Sequence, residues 1–176
     1  MVKLFFKLTG AMNLVLIRWV LVSVLCGAAS YSIFAGNENP YLYILGVAQD
    51  AGYPQAGNYA AHSMPGWNDP GLRRGSASLG LIDPESKKKY MFDATPNFPA
   101  QLFDLEKEAP GEHYEFAGIF LTHAHIGHYS GLMFLGHEAM GASQVPVYAM
   151  PRMRQYLSTN GPWSQLVITR ISPWSH

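Results

Sequence analysis

Three of the chain's seven histidines fall within six positions of one stretch, FLTHAHIGHYSGL, residues 120–132. His123 and His125 directly follow an apolar run. If the chain stays extended there, residues two apart point to the same side, and both imidazoles can face one ion. On a helix they would lie about 200° apart and could not. His128 follows at a turn before the next element. Imidazole suits zinc, iron and other late transition metals. Such a spacing arises by chance in roughly one chain in a hundred of this length and histidine content. Three solvated surface histidines are therefore the competing reading. The apolar strand before the motif, and Gly131 and Leu132 after it, favour the metal. A strand end feeding a loop is where α/β proteins place their sites.

The flanking sequence supplies elements able to hold these residues. YLYILGVA (residues 41–48) reads as a buried strand. Residues 49–75 are dense in Gly, Pro, Asn and Asp and read as a long loop of the kind that usually has a function. SASLGLID and KYMFDA read as two strands joined by a turn at Asp83–Lys88. A helix is expected after Asn97, with Pro99 in its first turn and Phe98, Leu102 and Leu105 on one face. AGIFLT reads as a buried strand, and SGLMFLGHEAM as a helix that Ser130 could cap, with His137 in its middle. VPVYAM is expected as a strand, PRMRQYLSTN as a helix and QLVITRI as a strand. The class is α/β.

Composition bounds the function. Of 176 residues, 48% are apolar and 14% charged, which excludes extended disorder. The longest basic run, Lys87 to Lys89, reads as a solvated turn, so no nucleic-acid partner is expected. The single cysteine, Cys26, excludes an internal disulfide and a multi-cysteine zinc site. Any metal must be held by His, Asp or Glu.

The first 30 residues read as a leader. Lys3, Lys7 and Arg18 precede the apolar run WVLVSVLCGAAS, in the order of a secretory signal, with cleavage expected after Ser30. The alternative is an uncleaved anchor: Trp19 to Ala35 spans about 26 Å as a helix, slightly short of a bilayer core. Membrane attachment would then run through residues 12–35. Either way the domain is expected to be exported, periplasmic or secreted. Without residues 1–30 the formal charge becomes 9 − 12 = −3. Residues 31–40 read as a linker and 41–176 as the domain.

LTHAHIGHYSGL resembles the T-H-x-H-x-D-H-x-x-G-L signature of the metallo-β-lactamase superfamily. ILGVAQDAGYPQ, FDATPNFPAQL and VPVYAMPRMRQYL resemble stretches of the branch that includes pyrroloquinoline quinone biosynthesis protein B. The resemblance runs from about Tyr41 to the last residue and implies the first half of an αββα sandwich, with a truncated chain as the expectation. It implies that His123 and His125 hold a first metal and that His128 holds a second or carries a proton. It further implies that Asp93 orients a ligand histidine, although a turn or helix-capping role for Asp93 is the plainer alternative. Later ligands of the family cannot be assigned here, His176 included. His62 and His137 read as structural or solvated.

Two departures matter. Gly127 stands where the signature has Asp, and glycine has no ligand atom. One metal is therefore expected rather than two, unless Asp50 or Asp93 supplies the carboxylate from another loop. The cysteine cluster that often follows YPQ in the branch is absent, so its structural zinc is not expected. The implied function is hydrolysis of an ester, amide or phosphoester in a small-molecule substrate. Zinc is the expected metal, with iron or manganese open. The alternatives are a non-catalytic module binding a metal or small molecule, and an inactive truncated chain.

Overall fold

Six short strands set the frame in a computed structural model that describes residues 39–168 and 174–175. The leader and most of the linker expected from the sequence lie outside the described residues. The strands are β1 (Tyr41–Gly46), β2 (Ser78–Asp83), β3 (Lys88–Phe92), β4 (Glu115–Phe120), β5 (Val147–Tyr148) and β6 (Trp174–Ser175). They lie side by side in chain order. β1, β2 and β3 pair antiparallel, and β3 through β6 pair parallel. The helices are α1 (Met64–Asn68), α2 (Phe98–Glu108), α3 (Pro151–Thr159) and α4 (Ser164–Ile168). α2 is the crossover that lets β4 run parallel to β3.

The two faces of the sheet differ. Ile82, Met91, Ile119 and Val147 are fully buried and share one cluster with Phe98 and Leu105 of α2 and with Leu132, Leu135 and Leu157. The opposite face carries a row in register across five strands: Ile44, Leu79, Phe92, Phe120 and Tyr148. Phe120 stacks on Tyr148 at 4.5 Å and on Phe92 at 5.3 Å between ring centroids. β1 is therefore not the buried strand its apolar run predicts. It is an edge strand, with Leu42 59% and Ile44 65% exposed. An apolar run alone does not say whether one face or both are covered.

Three further expectations are corrected. SGLMFLGHEAM is not an α-helix: Ser130–Leu135 is a 3₁₀ segment, its cap position is Tyr129, and Ser130 Oγ is buried without a hydrogen-bond partner. The cause is tertiary. The Gly131 amide donates to Ala94 O at 2.8 Å, and a Cβ on Gly131 would lie 2.2 Å from Thr95 O. This close approach pins the segment to the loop after β3. His137 consequently lies in an exposed turn, beside a cleft walled by Trp163 and Leu166.

The start of QLVITRI is helical, as part of α4, and residues 169–173 lie outside the described residues. Trp163 and Leu166 both enter the buried cluster. Residues three apart share a helix face but fall on opposite faces of a strand. Lys89 is not solvated: it is 1% exposed, and Nζ donates to the Glu106 carboxylate and to Ala109 O. It pairs across from Ile82 on the core face and satisfies a carbonyl at the end of α2. Burial pushes the Glu106 carboxyl up, but the Lys89 ammonium and the Gly111 amide together outweigh it and hold the group below its ordinary value.

The long segment between β1 and β2 is ordered by internal bonds. Ala48 bridges Ser76, Tyr53 bridges Arg74, and Trp67 Nε1 donates to Asn58 O at 2.7 Å. Buried Gln101 of α2 donates to Ser76 O at 2.7 Å and accepts from Thr95 Oγ1 at 2.6 Å. Asn97 accepts from the Ser76 amide at 2.9 Å. His62 meets Asn58 at 3.3 Å within this segment, as a structural histidine does.

Candidate metal centre

β3 and β4 run parallel and end together, so the residues after Phe92 and Phe120 emerge on one edge of the sheet. The Asp93 amide donates to Phe120 O at 2.8 Å, which locks the two exits. Asp93 has φ 65, a left-handed backbone that Asp tolerates better than most residues. Its buried carboxylate serves two partners. Oδ1 accepts from the Thr122 amide at 2.8 Å, and Thr122 Oγ1 lies 2.9 Å from both oxygens. Oδ2 lies 2.8 Å from His128 Nδ1. The Ala94 amide also donates to His128 O at 2.9 Å, so the His128 backbone and side chain are both tied to this loop. Asp93 is thus a hub between β3 and the histidine loop, not a helix cap.

The three imidazoles come together. His123 and His125 follow β4 on either side of a bend at Ala124, ahead of the 3₁₀ turn Ile126–His128. His123 Nε2 lies 3.1 Å from His125 Nδ1, with the rings edge to face at 76°. Two nitrogens bound to one tetrahedral zinc at 2.0–2.1 Å are separated by about 3.3 Å. The 3.1 Å contact is a hydrogen-bond distance, and it is also close to the separation that two nitrogens on one metal would have. His128 stands beside them, its ring centroid 4.0 Å from that of His123. Its Nδ1 is taken by Asp93, which leaves Nε2 for a ligand or a proton. Among the described residues, no group of three or more His, Cys, Asp or Glu is arranged to hold a metal ion. The residues fit a two-nitrogen site with a third imidazole alongside, short of a full ligand set.

Gly127 sits where the loop meets the segment after β1. A Cβ at this position would lie 3.1 Å from Asp50 O and 3.4 Å from its carbonyl carbon. The Asp50 main chain therefore crowds the space through which a side chain at 127 would leave. Asp50 itself has φ 47, and its carboxylate accepts from Gln55 at 3.3 Å. Asp50, Pro96, His125, Gly127 and His128 line a cleft of about 540 Å³. From the loop rich in Gly and Pro, Asp50 and Ala51 reach this cleft.

Sequence reasoning singled out His123, His125, His128 and Asp93, and the structure brings all four together. It also named Asp50, which reaches the same cleft. It gave no role to Thr122. The only signal there was a hydroxyl residue directly before the first histidine.

Residues 88–174 match the model of the β-lactamase superfamily domain. That match and the fold around it are those of the metallo-β-lactamase superfamily. The solved structures agree on the fold. Zn(2+)-bound PqqB from Methylobacterium extorquens is similar with a TM-score of 0.60 and 19% identity, over 76% of this chain and 48% of that one. A diphosphatase from the PhnP family is similar with a TM-score of 0.54 and 23% identity, over 78% of this chain and 50% of that one. No curated protein matches in sequence. The chain spans about half the length of these solved structures, and what it carries is part of the metallo-β-lactamase fold: one mixed sheet with α2, α3 and α4 on one face.

Proposed function

We propose that this chain carries the metal-holding part of a metallo-hydrolase, in which His123 and His125 grip one divalent ion, zinc before iron or manganese. The observation that carries this reading is the 3.1 Å approach of His123 Nε2 to His125 Nδ1, with His125 also lining the cleft. A metal held there lowers the pKa of water from ~15.7 to near 7 and so supplies a nucleophile at neutral pH. The chain's own residues do the rest. His128, held at Nδ1 by Asp93, keeps Nε2 available to take or return a proton or to complete the ligand set. The carboxylate of Asp93 fixes the ring and raises its basicity. The cleft walled by Asp50, Pro96 and Gly127 admits a small-molecule ester, amide or phosphoester. Residues 1–30 act as an export signal or anchor in this reading, which places the domain outside the cytoplasm.

The solved neighbour named as Zn(2+)-bound supports zinc, and the one named a diphosphatase supports a phosphate-bearing substrate. The test is elemental analysis of the purified protein beside His123→Ala and His125→Ala. About one metal ion per chain, lost in both variants, is expected. Equal metal in all three would remove the foundation of the proposal.

A second reading, a metal-binding module without turnover, is favoured by Gly127 standing where the signature has a carboxylate. That reading predicts the same metal content but no hydrolysis of generic esters or phosphoesters.

A further inference from the structure

We infer that Thr122 is a positioning residue: its hydroxyl relays the Asp93 carboxylate to His123, so that one carboxylate sets the tautomers of two imidazoles. Thr122 Oγ1 lies 2.9 Å from both Asp93 oxygens and 2.9 Å from His123 Nδ1. A carboxylate only accepts, and a hydroxyl has one proton and two lone pairs. The Thr122 proton therefore goes to Asp93. What remains toward His123 is a lone pair, so His123 Nδ1 must be the donor. His123 then carries its proton on Nδ1 and presents a bare Nε2, the nitrogen that faces His125 at 3.1 Å. His128 is set the same way without an intermediary, donating from Nδ1 to Asp93 Oδ2 at 2.8 Å.

The arrangement is directional. A free histidine favours its proton on Nε2, the opposite tautomer. Without the Thr122 acceptor, His123 would revert toward that form and turn a proton, not a lone pair, to the place where Nε2 meets His125. The Thr122 amide bond to Asp93 at 2.8 Å does not depend on the side chain. Removing the hydroxyl should thus leave Asp93 and His128 in place and act on His123 alone.

The relay and the metal proposal can fail separately, because a tautomer is read in the metal-free protein. The experiment is long-range ¹H–¹⁵N correlation of the imidazoles in the full chain, stripped of metal and held at a pH where the rings are neutral. Zinc titration of the same samples follows. In the wild type, both His123 and His128 should show the proton on Nδ1. Thr122→Val, which keeps the branched shape, should shift His123 toward Nε2–H, leave His128 unchanged and weaken zinc binding about 10–100-fold. Thr122→Ser should restore both readouts. Asp93→Ala should disturb both rings. A wild-type His123 protonated on Nε2 overturns the relay, as does a Thr122→Val protein in which His123 keeps its Nδ1 proton. If Thr122→Val proves unfolded, the wild type and Thr122→Ser still decide the tautomer. The expected tautomers with no zinc bound in any sample would leave the relay standing and sink the metal proposal.

Discussion

Asp93 and His128, 35 residues apart in sequence, meet at 2.8 Å between Oδ2 and Nδ1 on the edge where two parallel strands end. This contact orders the site, because the same carboxylate also holds the Thr122 amide and hydroxyl. Asp93→Ala removes every one of these acceptors and puts alanine at φ 65. Asp93→Asn keeps one acceptor oxygen and tolerates the left-handed backbone. Asp93→Ala is therefore expected to be less stable than Asp93→Asn by about 1–2 kcal/mol in urea unfolding. Both should lose zinc affinity about 10–100-fold. Equal stabilities would show that neither the backbone nor the remaining acceptor matters here.

The buried Lys89 gives a second prediction. Glu106→Gln leaves the Lys89 ammonium inside with only a neutral oxygen and the Ala109 carbonyl. A cost of about 1–3 kcal/mol is expected, moderated because Glu106 itself is half exposed. Lys89→Met replaces the charge with an apolar chain of similar length and should cost less than Glu106→Gln. The pH dependence has a definite sign. Glu106 is held below its ordinary value in the folded state. Its contribution is thus full above the unfolded carboxyl value of 4.5 and is lost as pH falls through the lower folded value. The stability gap between wild type and Glu106→Gln should shrink on acidification below that point. Denaturation midpoints at neutral and acidic pH check this, and a gap that widens in acid would refute it.

Much of the framework was legible in the sequence because its signals are local. The apolar runs at β2, β3 and β4 and the Pro99-led helix α2 follow from periodicity and turn residues. The histidine pair was legible because a spacing of two directly after a strand keeps both rings at the same strand end, even with the bend at Ala124. What was not legible depends on long-range contacts. Lys89 reads as surface until α2 lays Glu106 and Ala109 over it. Ser130–Leu135 reads as α-helix until Gly131 is drawn against Thr95. Leu42 and Ile44 read as buried because an apolar run does not reveal that only one face of the sheet has helices. Thr122 was overlooked because its partner, Asp93, lies 29 residues away.

Gly127 supplies a third prediction. A Cβ there would lie 3.1 Å from Asp50 O, which a shift of a few tenths of an ångström in the Asp50 loop can relieve. Gly127→Ala should therefore cost about 1 kcal/mol and leave zinc content unchanged. Gly127→Asp should carry the same steric cost and add a carboxylate beside His128. Elemental analysis should then find more metal per chain than in the wild type. If Gly127→Ala and Gly127→Asp bind the same amount, the missing carboxylate is not what limits the site.

Zinc itself is the fourth test, through stability. A ligand that binds the folded chain alone stabilises it by RT ln(1 + [L]/Kd), about 2.7 kcal/mol at a hundredfold excess over Kd. Thermal unfolding of the metal-free protein should shift upward with added zinc, and a chelator should reverse the shift. His123→Ala and His125→Ala should each abolish the response, since either leaves one nitrogen of the pair. His128→Ala should weaken it without abolishing it, because His128 stands beside the pair and not within it. His137→Ala is the control, in an exposed turn outside the histidine cluster, and should respond like the wild type. A zinc shift that survives His123→Ala and His125→Ala together would place the bound ion elsewhere and detach the cleft beside Asp50 from metal chemistry.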